Sequence, residues 1–384
     1  MGTDAAQPAL TGSARAVFRR LVEGGASTRP QIGSTLGLSR PTMSAAIAEL
    51  ERPRYVEMIG AVQGSLGRSA AQYRIGGGAG HIIAVDAGST HVRVRVSTLD
   101  RRLLTSRVLR LPTSQIALNE EVSRAVAAEV VLARAAALPS WGPLRAMGLA
   151  LPTRVVGRDG DVSSTRQEVV FSAFTPPAGV ELVLENNVNC AAVAEQHYGA
   201  ARGAASFAYV QIGLKIGMGL VLGEQLVRGR SGSAGEIGHL SFPFGPGVSP
   251  IPGEAEHYLG TEALIGRVRA DWPDTAGDPP GDTTELLAMA EAGKEAALRH
   301  VAGHAADIGA IVATCVSVVD PGLVVLGGGL GSSPLLLPGV RDTANRLSYP
   351  VEIRNTLLGA DATVMGIERL AIEAAMTRLL GEDG

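Results

Sequence analysis

Residues 213–239 read GLKIGMGLVLGEQLVRGRSGSAGEIGH. With VQI before it, the stretch is a glycine-rich strand hairpin, marked by Gly213, Gly217 and Gly219, that runs into the cluster SAGEIGH at 233–239. Related features lie on either side. Upstream, residues 81–86 (HIIAVD) form a buried-strand pattern ending in an acid, followed by AGST and a second strand, VRVRVSTLD. The turn at 86–90 offers backbone N–H groups and hydroxyls able to cradle a phosphate. Downstream, residues 324–331 (VVLGGGLG) are a strand running into three glycines. Between these features, residues 184–195 (LENNVNCAAVAE) gather one acid and three asparagines where a strand ends and a helix begins. Junctions of this kind commonly host a catalytic carboxylate. Any one glycine turn is explained by strand reversal alone, so their order along the chain carries the information.

The chain has 384 residues, enough for two or three domains. Hydrophobic residues make up 46%, charged residues 18% and aromatic residues 4%, with 49 glycines, the composition of an α/β protein with ample core material. Two cysteines, Cys190 and Cys315, fit a reducing compartment, and no pair has metal-site spacing. No stretch reads as a signal peptide or a membrane span, so a cytoplasmic location and no membrane partner are expected.

Charge is unevenly placed. Residues 1–80 hold nine arginines and five acids, a net +4, and the totals of 34 and 37 leave 25 basic and 32 acidic residues beyond, a net −7. A small basic head on an acidic body is the balance of a DNA-binding module fused to a sensor. The head's pattern agrees. Residues 14–23 (ARAVFRRLVE) have helical apolar spacing through Val17, Leu21 and Val22. Thr28 caps a second helix with Ile32 and Leu36 facing inward, Gly37 permits a tight turn, and Ser39 caps a third helix, RPTMSAAIAELE. Met43, Ile47 and Leu50 form its buried stripe, which leaves Arg40, Thr42, Ser44 and Ala45 exposed near its start, as on a recognition helix facing a major groove. Two β-like stretches around 55–59 and 71–75 flank a loop with Gly64, Gly67 and Arg68, a wing whose arginine would reach phosphate or minor groove.

The stretches DAGST, LENNVNCAAVAEQHYGA, GLKIGMGLVLGEQLVRGRSGSAGEIGH and DPGLVVLGGGL together resemble the ROK family of repressors, open reading frames and sugar kinases over residues 81–375. A winged helix–turn–helix ahead of such a body resembles its repressor branch. The resemblance implies an α/β, two-lobed, actin-like ATPase body of the sugar kinase and ribonuclease H type, with a sugar cleft between lobes and a homodimer or homotetramer formed through the body. The expected organisation is a flexible tail at 1–12, the winged helix–turn–helix at 13–75 and a flexible GGGAG linker at 76–80. The first lobe would span 81–183, with a C-terminal helix at 366–381 packing back on it. The second would span 184–365, with the effector cleft and the oligomer contacts.

The chain departs from the family's pattern in two places. Family kinases carry Asn-Asp where this chain has Asn186-Asn187. The aspartate takes the proton of the attacking sugar hydroxyl, and a carboxamide has no basic site for that, although it can hydrogen-bond a hydroxyl. Glu185 is read as supporting the strand end. No catalytic residue is therefore expected. The family's CxCGxxGC zinc loop is the second departure. Here the stretch after GEIGH is LSFPFGPGVSPIPGEAEHYLG; with one residue inserted, Pro250, Pro252 and His257 stand at the cysteine positions, and two histidines with two prolines cannot complete a tetrahedral site. No metal and no cofactor are expected. The acid that follows in the family aligns with Leu259, which predicts one apolar pocket wall. Asn186, Asn187, Glu236 and His239 remain as effector-binding candidates. Ala87 and Leu214 replace residues common in the family's nucleotide turns, which weakens the case for ATP.

The resulting expectation is a regulator, most simply a repressor, that binds an inverted-repeat operator and answers to a small carbohydrate effector. Two rivals stand beside it: a sugar kinase with an attached DNA-binding head, and a ligand-independent DNA-binding protein with a vestigial cleft.

Overall fold

The computed structural model describes residues 10–63, 69–112, 118–157, 165–241, 247, 249 and 251–381. Local capping chemistry sets the N-terminal unit. Thr11 caps α1 (Gly12–Gly24) by accepting the Ala14 amide. After the two-residue strand β1 (Ser27–Thr28), Thr28 and Gln31 form a reciprocal capping box that opens α2 (Arg29–Leu36), which ends on Gly37 in the left-handed region. Ser39 caps α3 (Arg40–Glu51). Val17, Leu21, Val22, Ile32, Met43, Ile47 and Leu50 are all buried between these helices. Strands β2 (Val56–Gln63) and β3 (Ser69–Ile75) form a hairpin, and β1 joins it on the β3 side to give an antiparallel sheet. The loop carrying Gly64, Gly67 and Arg68 lies outside the described residues.

The body repeats one topology. β4 (His81–Ala87), β5 (His91–Thr98) and β6 (Leu103–Arg110) make an antiparallel meander, α4 (Glu120–Ala135) crosses over, and β7 (Leu144–Leu151) and β8 (Glu181–Asn186) add in parallel on the other side of β4. After α5 (Asn187–Tyr198), the sequence of events recurs with β9 (Phe207–Ile212), β10 (Ile216–Leu222) and β11 (Gln225–Val227). The second crossover is longer and holds α6 (Glu254–Leu259), α7 (Thr261–Ala270), α8 (Thr283–Glu291) and α9 (Glu295–Val319). β12 (Leu323–Gly327), the short α10 (Gly328–Gly331), α11 (Leu337–Leu347) and β13 (Glu352–Asn355) complete the second sheet, with β12 and β13 parallel to β9. The orders β6-β5-β4-β7-β8 and β11-β10-β9-β12-β13 are the same order twice. In both lobes the turn between the first two strands faces the gap between the sheets, so the duplication aims two hairpin turns at one cleft.

Three boundaries differ from the sequence reading. β8 pairs with β7 as far as Asn186, so residues 184–186 belong to the first sheet. The terminal helix α12 (Ala362–Leu380) starts earlier than 366 and packs on β4, β7 and α5. Its Gly366 allows that approach, because a Cβ there would sit 1.7 Å from the Cys190 carbonyl oxygen. The GGGAG segment is a packed joint where a flexible linker was expected. Gly76 and Gly78 donate to the Tyr55 and Arg54 carbonyls, Arg145 donates to the carbonyls of Gly78 and Ala79, and a Cβ on Gly78 would meet Pro53 O at 2.0 Å. Glycine is used here for close backbone approach. Arg102 also donates to Ile75 O, the last carbonyl of β3.

One core cluster accordingly runs from Phe18 and Leu50 through Ile75 and Ala79 to Ile82, Leu99, Ile367 and Leu380, joining the N-terminal unit to the first lobe. The second lobe has its own core around β9, β12 and α9. By length and composition α9 is apolar enough to cross a membrane, which the sequence reading did not anticipate; 56% of its most apolar window is buried inside the lobe, so core packing accounts for its character.

Candidate functional site

The cleft between the lobes encloses about 900 Å³. The first lobe contributes Asp86 and the turn Gly88, Ser89 and Thr90, followed by Thr153, Arg154 and Asn186. The second contributes the turn Gly213, Leu214 and Lys215, then Glu236, His239, Glu256 and the Gly328-Gly329 pair after β12. Ligands of open α/β sheets sit at such strand ends.

The junction that opens α5 divides its polar groups by role. Glu185 is buried and accepts from the Asn186 amide (2.9 Å), Asn189 Nδ2 (2.9 Å) and Arg228 Nε (2.6 Å). It holds the strand end, with Arg228 as its counter-ion. Asn186 is the N-cap of α5: its Oδ1 accepts from the amides of Val188 (2.8 Å) and Asn189 (3.3 Å), and its Nδ2 donates to Thr153 O (3.1 Å). One Nδ2 hydrogen is left for a ligand. Asn187 starts the helix half-buried on the cleft wall, with no hydrogen bond to its carboxamide among the described residues. Of the two asparagines, Asn187 is the one free to turn toward a ligand.

On the facing wall, Glu236 precedes a short 3-10 turn, Ile237–His239, that His239 ends. Met218 N donates to Gly235 O and pins this loop to β10. Burial raises the Glu236 carboxyl above its ordinary range, and the His239 charge opposes this. Asp86, at the end of β4, is pushed up to about 7, chiefly by burial, with Arg93 pulling the other way.

The apolar wall expected from Leu259 is absent. Leu259 is fully buried in the second lobe's core, together with Ala255 one helical turn away. Glu256, on the neighbouring face of α6, lines the cleft instead. The carboxylate expected to be missing from this wall is present three residues earlier.

The family's zinc does not fit the donors. Among the described residues no group of three or more His, Cys, Asp or Glu side chains gathers in a way that could hold a metal, and His257 is exposed and absent from the cleft lining.

At the other end of the molecule, Arg40, Ser44 and Ala45 are exposed along the start of α3. Thr42 is half-buried and its hydroxyl shares a hydrogen with Ser39 Oγ at 2.8 Å, so its reach is partly spent on the cap. Arg68 lies outside the described residues.

Sequence reasoning missed three cleft residues. Asp86 had been noted only as the acid that ends a strand and opens a turn, and Glu256 was not singled out. Lys215 had a signal of its own, since the chain contains only two lysines, Lys215 and Lys294, among 34 basic residues.

Comparison with known proteins agrees with this architecture. A xylose repressor of Bacillus spizizenii is 22% identical over 93% of this chain and 94% of its own length. A glucokinase of Streptomyces coelicolor is 27% identical over 70% of this chain and 88% of its own. Among solved structures, a ROK family transcriptional regulator described as a homologue of the E. coli MLC protein superposes with a TM-score of 0.71, at 16% identity, over 96% of this chain and 97% of its own. That likeness speaks to the fold. Residues 82–374 match the model of the ROK family, and the chain belongs to that family.

Proposed function

We propose that this chain is a DNA-binding transcriptional repressor whose N-terminal unit is a winged helix–turn–helix and whose cleft takes a sugar or sugar derivative, without sugar kinase activity. The carrying observation is the junction at residues 185–187. Glu185 is locked to Arg228, and Asn187 is a carboxamide, so neither can take a proton from a sugar hydroxyl. The remaining polar groups, Asn187, Glu236, His239 and Glu256, are suited to binding hydroxyls. On the N-terminal unit, α3 presents Arg40, Ser44 and Ala45 in the manner of a recognition helix, with Thr42 beside them and Arg68 assigned to a wing. Likeness to a xylose repressor over nearly the whole chain supports the same reading. Two copies joined through their bodies would read an inverted repeat.

The sugar kinase reading keeps one support, Asp86, a cleft carboxylate poised near neutrality. The experiment addresses both. Fluorescence anisotropy with DNA from the region upstream of the chain's own gene should show binding that a panel of xylose, glucose, N-acetylglucosamine and their phosphates modulates. Glu236→Ala and Asn187→Ala should lose that response and keep ligand-free binding. Coupled assay of ATP turnover with the same sugars should stay at background. Sugar-dependent turnover abolished by Asp86→Asn would replace this reading with the kinase.

A further inference from the structure

Lys215 sits in the turn between β9 and β10, half-buried on the cleft wall. Its ammonium group makes no ion pair or hydrogen bond among the described residues, and Glu236 feels its charge only at longer range. Its backbone is fixed: Lys215 O accepts from Gly213 N at 3.1 Å, and Gly213 O accepts from Thr261 N at 3.0 Å. Thr261 lines the same end of the cleft, as does the Gly328-Gly329 pair. Of the 34 lysines and arginines in this chain 32 are arginines, and several of those that are half-buried are spoken for, as Arg95 and Arg101 are by Glu368. A compact, unpaired point charge at a wall of small residues is the form in which lysine serves as a phosphate receptor.

From this placement we infer that the effector is anionic: a hydroxyl-rich ligand whose phosphate or carboxylate is received by Lys215 while its hydroxyls meet Glu236, His239, Glu256 and Asn187. The inference rests on the reading of the cleft as the effector site and names the ligand class that reading leaves open. The acids on the hydroxyl wall would repel a ligand anion placed among them, which fixes the orientation: anion toward the β9–β10 turn, ring toward Glu236.

Because the chain has two lysines, the test can watch Lys215 directly. Reductive ¹³C-methylation of the full-length protein keeps each ammonium charged and gives two lysine signals beside the α-amine, assigned with Lys294→Arg. Titration with glucose 6-phosphate, gluconate, inorganic phosphate, AMP-PNP and glucose should move the Lys215 signal with a sugar phosphate or a sugar acid, at concentrations where glucose and inorganic phosphate leave it still. The phosphate and carboxylate arms separate the two sources of the anion. Calorimetry of the active probe on Lys215→Gln should show affinity lowered on the order of tenfold or more, partly restored in Lys215→Arg. The inference is overturned if glucose binds as tightly as its anionic relatives, if AMP-PNP alone moves Lys215, if Lys294 moves as much as Lys215, or if Lys215→Gln binds like the parent. Failure of the regulator reading looks different: Lys215 would still respond, and no probe would change DNA binding.

Discussion

At the level of single residues, Asp86 shows how the cleft is tuned. A carboxyl that titrates near 3.8 when free is pushed to about 7 by burial at the end of β4. Between those values the folded state holds a proton that the unfolded state has lost. Stability contributed by the protonated form is therefore full below about pH 4 and is lost as pH rises through about 7. Asp86→Asn removes the charge and keeps the shape, so it should stabilise the protein by about 1–3 kcal/mol at pH 8 and by much less at pH 5. Thermal melts at the two pH values check this, and a gap that does not widen with pH would show that the Asp86 carboxylate is better solvated than its burial implies. The same residue shows what sequence could and could not convey. That an acid ended a strand was legible; that its charge is costly depends on β7 and the facing lobe, which no local pattern encodes.

At the level of elements, local chemistry wrote the N-terminal helices plainly. Thr28 and Ser39 cap, Gly37 turns left-handed, and Met43, Ile47 and Leu50 face inward, all within a few residues of the signal that announced them. Elements fixed by distant partners were illegible. The two residues of β1 form a strand only because β3 lies beside them, and α6 sets Glu256 toward the cleft only because Ala255 and Leu259 are taken by the core. GGGAG reads as a loose tether from composition, yet its glycines are there so that backbone can lie on backbone. This joint carries a prediction. Arg145 satisfies the carbonyls of Gly78 and Ala79, and Arg102 that of Ile75. Removing such a donor leaves a part-buried carbonyl without its partner, a cost of about 1–3 kcal/mol concentrated in the joint. The double variant Arg102→Ala, Arg145→Ala should be cut faster by proteases within residues 76–80, bind DNA as the parent does, and lose most of its response to ligand. Unchanged cleavage with a full ligand response would mean that the arginines add nothing to the joint.

At the level of the whole molecule, the continuous core across that joint determines which parts can move. The N-terminal unit and the first lobe share one cluster, from Phe18 through Ile75 to Ile367, which predicts that they move together while the second lobe rotates about the cleft. The crossings between lobes fit such a hinge. Arg154 donates to Ser231 O and Ser233 Oγ across the cleft mouth, while α5 leaves the first sheet at Asn186 and packs on β10 of the second. If two copies meet through their second lobes, closing the cleft swings each N-terminal unit relative to the dimer axis, and half-site spacing on DNA converts that swing into affinity. A ligand can drive the shift only by its preference for the closed form. The prediction is a change in the distance between the two α2 helices of such a dimer. Cys190 and Cys315 are buried, so Ser34→Cys, on the exposed side of α2, offers one accessible site for a spin label per chain. Pulsed electron resonance should show a narrow distance distribution that moves by several ångströms on adding the ligand active in the anisotropy assay. The Arg102→Ala, Arg145→Ala variant should give a broad distribution that the ligand leaves in place. A parent distribution that is narrow and unmoved by a ligand that does release DNA would place the switch within the N-terminal unit itself, and the hinge between the lobes would have no part in it.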